Sequence, residues 1–203
     1  RFHEHGADEL AHYCKKAFDI EYEFPFGWKE FEGIHNRTDY DLARHQEYSG
    51  KRLEYIDPTS NERYIPYVVE TSMGVDRTVL VLLADAYREE EVEGEKRVLL
   101  ALQPKLAPLK AAVFPLVKKD GMPEIAMKLM DDLRSSGIPS FYDQSGAIGR
   151  RYRRQDEIGT PWCITVDGQS TEDGTVTVRD RDSLVQERVG VDQVVNWITN
   201  QLS

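Results

Sequence analysis

Cysteine is scarce in this chain of 203 residues: Cys14 and Cys163 stand far apart and form neither a CxxC nor a CxxH pattern. That spacing argues against a disulfide scaffold and a zinc ribbon, and leads to the expectation of a reducing, cytoplasmic setting. Long hydrophobic runs are missing too. Nothing approaches the roughly 18 to 20 apolar residues that span a bilayer, so no membrane segment is expected. There is no basic excess: 26 Lys and Arg face 36 Asp and Glu, a net charge of -10. Nucleic acid can therefore be met only through local basic patches. Internal repeats and low-complexity tracts are absent. The chain opens on Arg1 rather than Met, without the charged and apolar regions of a signal peptide, which leads to the expectation that an upstream segment has been removed.

The 40% hydrophobic and 31% charged fractions belong to a globular protein, and the length suits one large or two modest domains. Charge is unevenly placed. Residues 1–96 hold 12 Lys/Arg against 22 Asp/Glu, while residues 97–203 hold 14 of each. The run from Arg88 to Lys96 ends an apolar pattern with dense charge and a glycine, and the domain boundary is expected there, giving domains 1–96 and 97–203.

Periodicity predicts an amphipathic helix over Ala7–Phe18, a short strand placing Trp28, Glu30 and Glu32 on one face, and a strand within Tyr64–Ser72. Val79–Tyr87 is apolar nearly all round and reads as a buried helix. In the second half, Val98–Leu102 reads as a strand. Met122–Ser136 is a helix with Pro123 near its start and Gly137 after its end. Further strands are expected at Pro139–Tyr142, Trp162–Val166 and Thr175–Val178, and helices at Ala147–Asp156 and Val191–Leu202. The fold class is α/β: an α+β portion with an antiparallel sheet, followed by a mixed-sheet α/β domain.

Several residues have chemistry to offer. Glu30 and Glu32 could hold Mg²⁺ beside a nucleotide triphosphate, or form a solvated strand face. Glu70 and Ser72 share a strand face just before Gly74-Val75-Asp76-Arg77 opens a helix. A carboxylate and a hydroxyl there could receive an ammonium group, and the helix N-terminus with Arg77 suits a phosphate. A structural Glu70–arginine ion pair explains Glu70 as well. His3, His5, His12 and Cys14 lack a complete ligand spacing and read as incidental. Arg150, Arg151, Arg153 and Arg154, around Tyr152, are too many to pair locally and are read as a nucleic-acid patch.

The segments Phe24-Pro-Phe-Gly-Trp-Lys-Glu-Phe-Glu-Gly-Ile-His-Asn-Arg-Thr-Asp-Tyr-Asp-Leu and Pro66-Tyr-Val-Val-Glu-Thr-Ser-Met-Gly-Val-Asp-Arg strongly resemble the dimeric bacterial and eukaryotic type of glycyl-tRNA synthetase. So do Arg150-Arg-Tyr-Arg-Arg-Gln-Asp-Glu-Ile-Gly-Thr-Pro and Val176-Thr-Val-Arg-Asp-Arg-Asp. The second segment resembles the third motif of class II synthetases. The resemblance implies ATP-dependent activation of glycine, transfer of glycyl to its tRNA, and a cytoplasmic homodimer that is not tied to a membrane. It implies Arg37, Glu70 and Arg77 as catalytic residues, and Glu70, Thr71, Ser72, Met73 and Gly74 around the glycine. Glu30, Phe31, Gly74, Val75, Asp76 and Arg77 are implied around ATP, with Glu30 toward Mg²⁺. Glycine has no side chain, so its selection needs acidic clamps on the ammonium and exclusion of larger groups. From about Arg97 onward the chain resembles the anticodon-binding domain of class IIa enzymes. Arg150, Arg151, Tyr152, Arg153, Arg154, Arg179 and Arg181 are expected to contact tRNA on the ground of charge. The family's first and second motifs would precede Arg1, so the expectation is a chain that is weak or inactive by itself. A non-catalytic synthetase-like accessory subunit that binds nucleic acid is the alternative.

Overall fold

A computed structural model describes residues 1–203, with helices and strands mixed through the chain. It resolves into two compact units, Arg1–Ala84 and Asp85–Ser203.

The first unit opens with β1 (Phe2–Glu4), β2 (Lys16–Phe24) and β3 (Gly27–Asn36). The helix expected over Ala7–Phe18 is not formed. Residues 7–15 are turns, and Phe18, Ile20, Tyr22 and Phe24 carry a period of two that commits the segment from Lys16 to a strand. β2 and β3 form an antiparallel hairpin across Pro25-Phe26, closed by Gly27 at φ +100. α1 (Tyr40–Ser49) ends at Gly50 in the left-handed conformation. The two-residue strands β4 (Tyr55–Ile56) and β5 (Arg63–Tyr64) pair with each other. β6 (Val69–Met73) then joins β3, giving an antiparallel sheet in the order β1-β2-β3-β6. α2 (Val75–Ala86) follows. It was expected to be buried, yet Val75, Val79, Leu80 and Leu83 are exposed and only Ala86 is buried, because apolarity all round a helix states a preference and not a partner.

The second unit begins with β7 (Tyr87–Val92) and β8 (Glu95–Leu100), a hairpin whose central residues Glu93 and Gly94 both have positive φ, the geometry of a type I′ turn. The charged run expected to mark a boundary is thus strand. Its side chains pair across the hairpin, as Glu89 does with Lys96 at 2.8 Å. Next come β9 (Ala111–Pro115), α3 (Met122–Ser135), β10 (Ser140–Tyr142), α4 (Ile148–Ile158), β11 (Trp162–Val166), α5 (Gly168–Asp173), β12 (Thr175–Asp180), β13 (Gln186–Gly190) and α6 (Val194–Leu202), the last after a 3₁₀ turn. The sheet order is β10-β9-β11-β12-β13, parallel across its first three strands and antiparallel beyond. β9 and β11 are buried on both faces, as parallel strands under helices must be. Ala111, Val113, Ile164 and Val166 pack with Leu129, Leu133, Val194 and Ile198 in the main core. Ala112, Phe114 and Cys163 point the other way, toward Ile148 and Tyr152 of α4. Burial pushes the Cys163 thiol up to about 12, so it stays protonated.

Candidate functional sites

In the first unit the β3–β6 register sets Glu70 opposite His35 and Ser72 opposite Gly33, so all four share one face of the sheet. The pairing runs on past β3, where Arg37 N–H donates to Val68 O. Arg37 leaves the strand end directly beneath α1, and its guanidinium serves two carboxylates. Nε and Nη2 donate to Asp41 at 2.6 and 3.0 Å, and Nη1 donates to Glu70 Oε2 at 2.6 Å. Its carbon lies 4.2 Å from the centre of the Tyr13 ring, a cation–π contact that fixes the guanidinium plane. The hydrogen bonds that Arg37 donates to Asp41, then to Glu70, hold its pKa above its usual range, and Arg37 in turn holds the Asp41 carboxyl below its own. One positive and two negative groups leave a net negative charge. Glu70 Oε1 makes no hydrogen bond and the side chain is partly exposed. The cluster therefore keeps one carboxylate acceptor unspent. The Glu70–arginine ion pair, open from sequence alone, is thus formed, and its arginine is Arg37.

The Arg77 end differs. Arg77 Nη1 donates to Glu30 O at 2.9 Å and lies 3.5 Å from Glu30 Oε2. A pocket of about 290 Å³ is bounded there by Phe24, Phe26, Lys29, Glu30, Arg77 and Leu80. Phe26 stacks on Phe24, with ring centres 5.0 Å apart and planes 7° from parallel, and its outer face is exposed. An aromatic face beside two cations suits a planar ring carrying phosphates. Glu30 and Glu32 do not share a face as expected. A bulge at Phe31 sets them against neighbouring residues, Glu21 and Ile20, which point to opposite sides of the sheet. Phe31 is half-buried at the bulge and does not line the pocket. Thr71, Ser72, Met73, Gly74, Val75 and Asp76 are all exposed along the end of β6 and the first turn of α2.

In the second unit the basic cluster divides in two. Arg151 is buried. It donates to Pro115 O at 2.6 Å and Leu116 O at 3.3 Å, at the end of β9, and to Gly146 O at 3.2 Å in the loop before α4. Arg179 makes a two-pronged pair with Asp156 at 2.9 and 3.0 Å, and Arg97 adds a third bond to Asp156 at 2.9 Å. Arg181 is 1% exposed and donates to Gly159 O, Leu102 O and Asp182. Tyr152 lies under the Arg179 guanidinium, bonds to Thr165 Oγ1 at 2.7 Å and meets the Phe114 ring. Burial and internal partners therefore leave Arg151, Arg179 and Arg181 little part in the basic surface that charge counting assigns them to, while Tyr152 is half-buried and lines a pocket of about 360 Å³ with Arg153 and Arg179. Arg150, Arg153 and Arg154 remain exposed. Arg153 pairs with Glu95 and Arg154 with Asp143, while Arg150 has no ion pair.

Sequence reasoning missed Asp41, which meets Arg37 from α1, Tyr13, which meets it from the turn before β2, and His35, which stands opposite Glu70 across the sheet. Only Asp41, four residues after Arg37, left a readable signal, the spacing of a helical ion pair. No helix is long and apolar enough to cross a membrane.

Residues 110–201, the sheet-and-helix body of the second unit, match the family model described as an anticodon binding domain. The whole chain is similar to glycine–tRNA ligases: 57% identical to that of Chlorobaculum tepidum over 202 residues, covering all of this chain and 43% of that protein. The identity is 53% with the ligase of Treponema denticola and 55% with that of Caldanaerobacter subterraneus, covering 46% and 43% of those proteins. The similarity runs through the whole chain, which spans less than half the length of these curated relatives.

Proposed function

We propose that this chain serves a glycine–tRNA ligase of its relatives' length, supplying part of the glycine and ATP pockets together with the anticodon-reading domain. The reaction is activation of glycine by ATP, with loss of pyrophosphate, and transfer of the glycyl group to the 3′ end of tRNA(Gly), in the cytoplasm and within a homodimer. The observation that carries this reading is the Arg37–Asp41–Glu70 cluster, net negative with one carboxylate oxygen free. Its free acceptor fits the α-ammonium of glycine, with Ser72 on the same face; Thr71 and Met73 alternate onto the other face, so they and Gly74 would meet the ligand through their backbone. Arg77, beside Glu30 at the start of α2, suits the triphosphate, with Gly74, Val75 and Asp76 offering the first turn of the helix and Phe26 a ring surface. Glu30 would be the carboxylate turned toward a Mg²⁺, which would supply neutralisation of charge on the triphosphate. Phosphoryl chemistry of this kind needs positioning and charge stabilisation more than a nucleophilic side chain.

The test is glycine-dependent pyrophosphate exchange by the enzyme at its relatives' length, with and without Glu70→Ala. Loss of a charge-assisted hydrogen bond of roughly 3 kcal/mol corresponds to about a hundredfold fall at limiting glycine. The KM for ATP should change less than about threefold, the signature of a group that touches one substrate. Equal losses for glycine and ATP would make Glu70 structural, and no glycine-dependent exchange by the unaltered enzyme would sink the reading.

A further inference from the structure

The second unit has a groove of about 500 Å³ beside the edge strand β10, bounded by Leu109, Phe141, Arg154, Gln155, Glu157 and Ile158. Three features set it apart from an ordinary surface depression. First, Phe141 projects from the outermost strand of the sheet and is 42% exposed, although it follows the buried Ser140. Second, Gln155 is 98% buried and lines the groove, yet only half its amide is satisfied. Thr160 Oγ1 donates to Gln155 Oε1 at 2.7 Å, whereas Nε2 makes no hydrogen bond and is not sealed in the interior. An unmet donor at this depth is costly unless something else meets it. Third, α4 carries cations along the same stripe. Arg154 stands at the rim, paired with Asp143, which also lines the groove, and Arg150, one turn earlier, is exposed without an ion pair.

We propose that this groove receives an unstacked base of single-stranded RNA, with Phe141 as the stacking surface, Gln155 Nε2 donating to an acceptor on the base edge, and Arg150 facing the adjacent phosphate. The inference rests on the tRNA-binding part of the proposed function and locates base reading away from Tyr152, whose half-buried ring already carries the Arg179 guanidinium. Single-stranded bases are read by aromatic stacking and by hydrogen bonds to their edges, and this groove offers both. Glu157 makes no hydrogen bond or ion pair and stands beside Gln155, so a base presenting an acceptor next to an exocyclic amine satisfies both side chains. Uracil in the pose that suits cytosine would set its O4 against the Glu157 carboxylate and its N3–H against the Gln155 donor.

The experiment is equilibrium binding of the 203-residue chain to a glycine-type tRNA transcript and to versions with single anticodon bases changed to uridine. The unaltered chain should prefer the parent transcript. Phe141→Ala, at an exposed position, should weaken parent binding about tenfold, a typical loss for one stacked base. Gln155→Glu keeps the size of the side chain and the bond from Thr160 but reverses the free group from donor to acceptor. It should bring parent and altered transcripts to within about twofold of each other, with thermal unfolding confirming that the variant is folded. Arg150→Ala should weaken all transcripts alike and flatten the salt dependence. Preference for the parent that survives both Phe141→Ala and Gln155→Glu would overturn the groove assignment and leave the tRNA reading standing. If the unaltered chain binds every transcript equally, the anticodon-reading function fails first and the groove with it.

Discussion

In the first unit one arginine, Arg37, serves two carboxylates, Asp41 and Glu70; in the second the count is reversed, and one carboxylate, Asp156, takes two arginines, Arg97 and Arg179. Both are ion clusters fixed by an aromatic ring, Tyr13 under Arg37 and Tyr152 under Arg179. The difference lies in what remains unspent. Asp156 is 1% exposed and both its oxygens are taken, while Arg97 passes its remaining donors to Glu90 and to Arg181 O. Burial works against the Arg97 charge, and its carboxylate partners outweigh that and raise its pKa. Around Arg37 a carboxylate oxygen stays open to solvent. A saturated cluster holds chain segments together, whereas an unsaturated one can hold something else.

The contrast breaks most readily at Asp156. Asp156→Ala strands two buried guanidinium groups and should cost about 3–5 kcal/mol in urea unfolding of the second unit, the usual penalty for halving a buried ion network. Glu70→Ala should leave the unfolding midpoint almost unmoved. Comparable losses at the two sites would erase the distinction. A smaller effect sharpens the first-unit side. Asp41→Asn removes one anchor of Arg37 without touching Glu70, and should raise the KM for glycine about tenfold while leaving that for ATP unchanged, since one charged hydrogen bond contributes roughly 1.5 kcal/mol. Asp41→Glu should restore part of the loss. Gly94→Ala tests the hairpin that brings Glu90 to Arg97, and should destabilise by about 1 kcal/mol, because alanine resists the positive φ there.

The smallest effect is in the response to pH. His5, hydrogen-bonded to Asp19 at 2.9 Å, has its pKa raised above 6.5 by that bond. Its support for the β1–β2 edge is therefore present below the unfolded pKa and fades as pH rises through the folded one. Asp41, whose pKa is lowered, behaves oppositely: its contribution is present above the unfolded pKa and is lost as pH falls through the folded one. Proton NMR should show His5 titrating above its free value, and Asp19→Asn should return it there.

Elements that carry their own end signals were legible in the sequence. α3 lies where Pro123 and Gly137 place it, and β11 where Trp162, Ile164 and Val166 alternate. β9 escaped notice because Ala111–Pro115 is buried on both faces and shows no alternation. The β7–β8 hairpin was hidden by its charge, which reads as a linker until Glu93-Gly94 is seen as a turn. At the site level, Glu70 with Ser72 followed from strand parity, but the arginine paired with Glu70 did not, since 33 residues separate it from Arg37. Likewise the four clustered arginines announced charge. Only packing reveals that Arg151 spends its donors on backbone carbonyls at the end of β9 and in the loop before α4.

The end of α4 ties recognition to architecture. Gly159 stands at φ +85, and a Cβ there would come within 2.9 Å of Leu102 Cδ1 and 3.1 Å of Leu100 O. The next residue, Thr160, holds the Gln155 amide, and its own N–H returns to Gln155 O. Every single-base change from a glycine codon that alters the amino acid brings in a side chain or a stop. Genetic drift at this position would then be halted twice over, once by the seam between helix and hairpin and once by the orientation of the group that faces the groove. A saturation library selected for either property alone should return glycine.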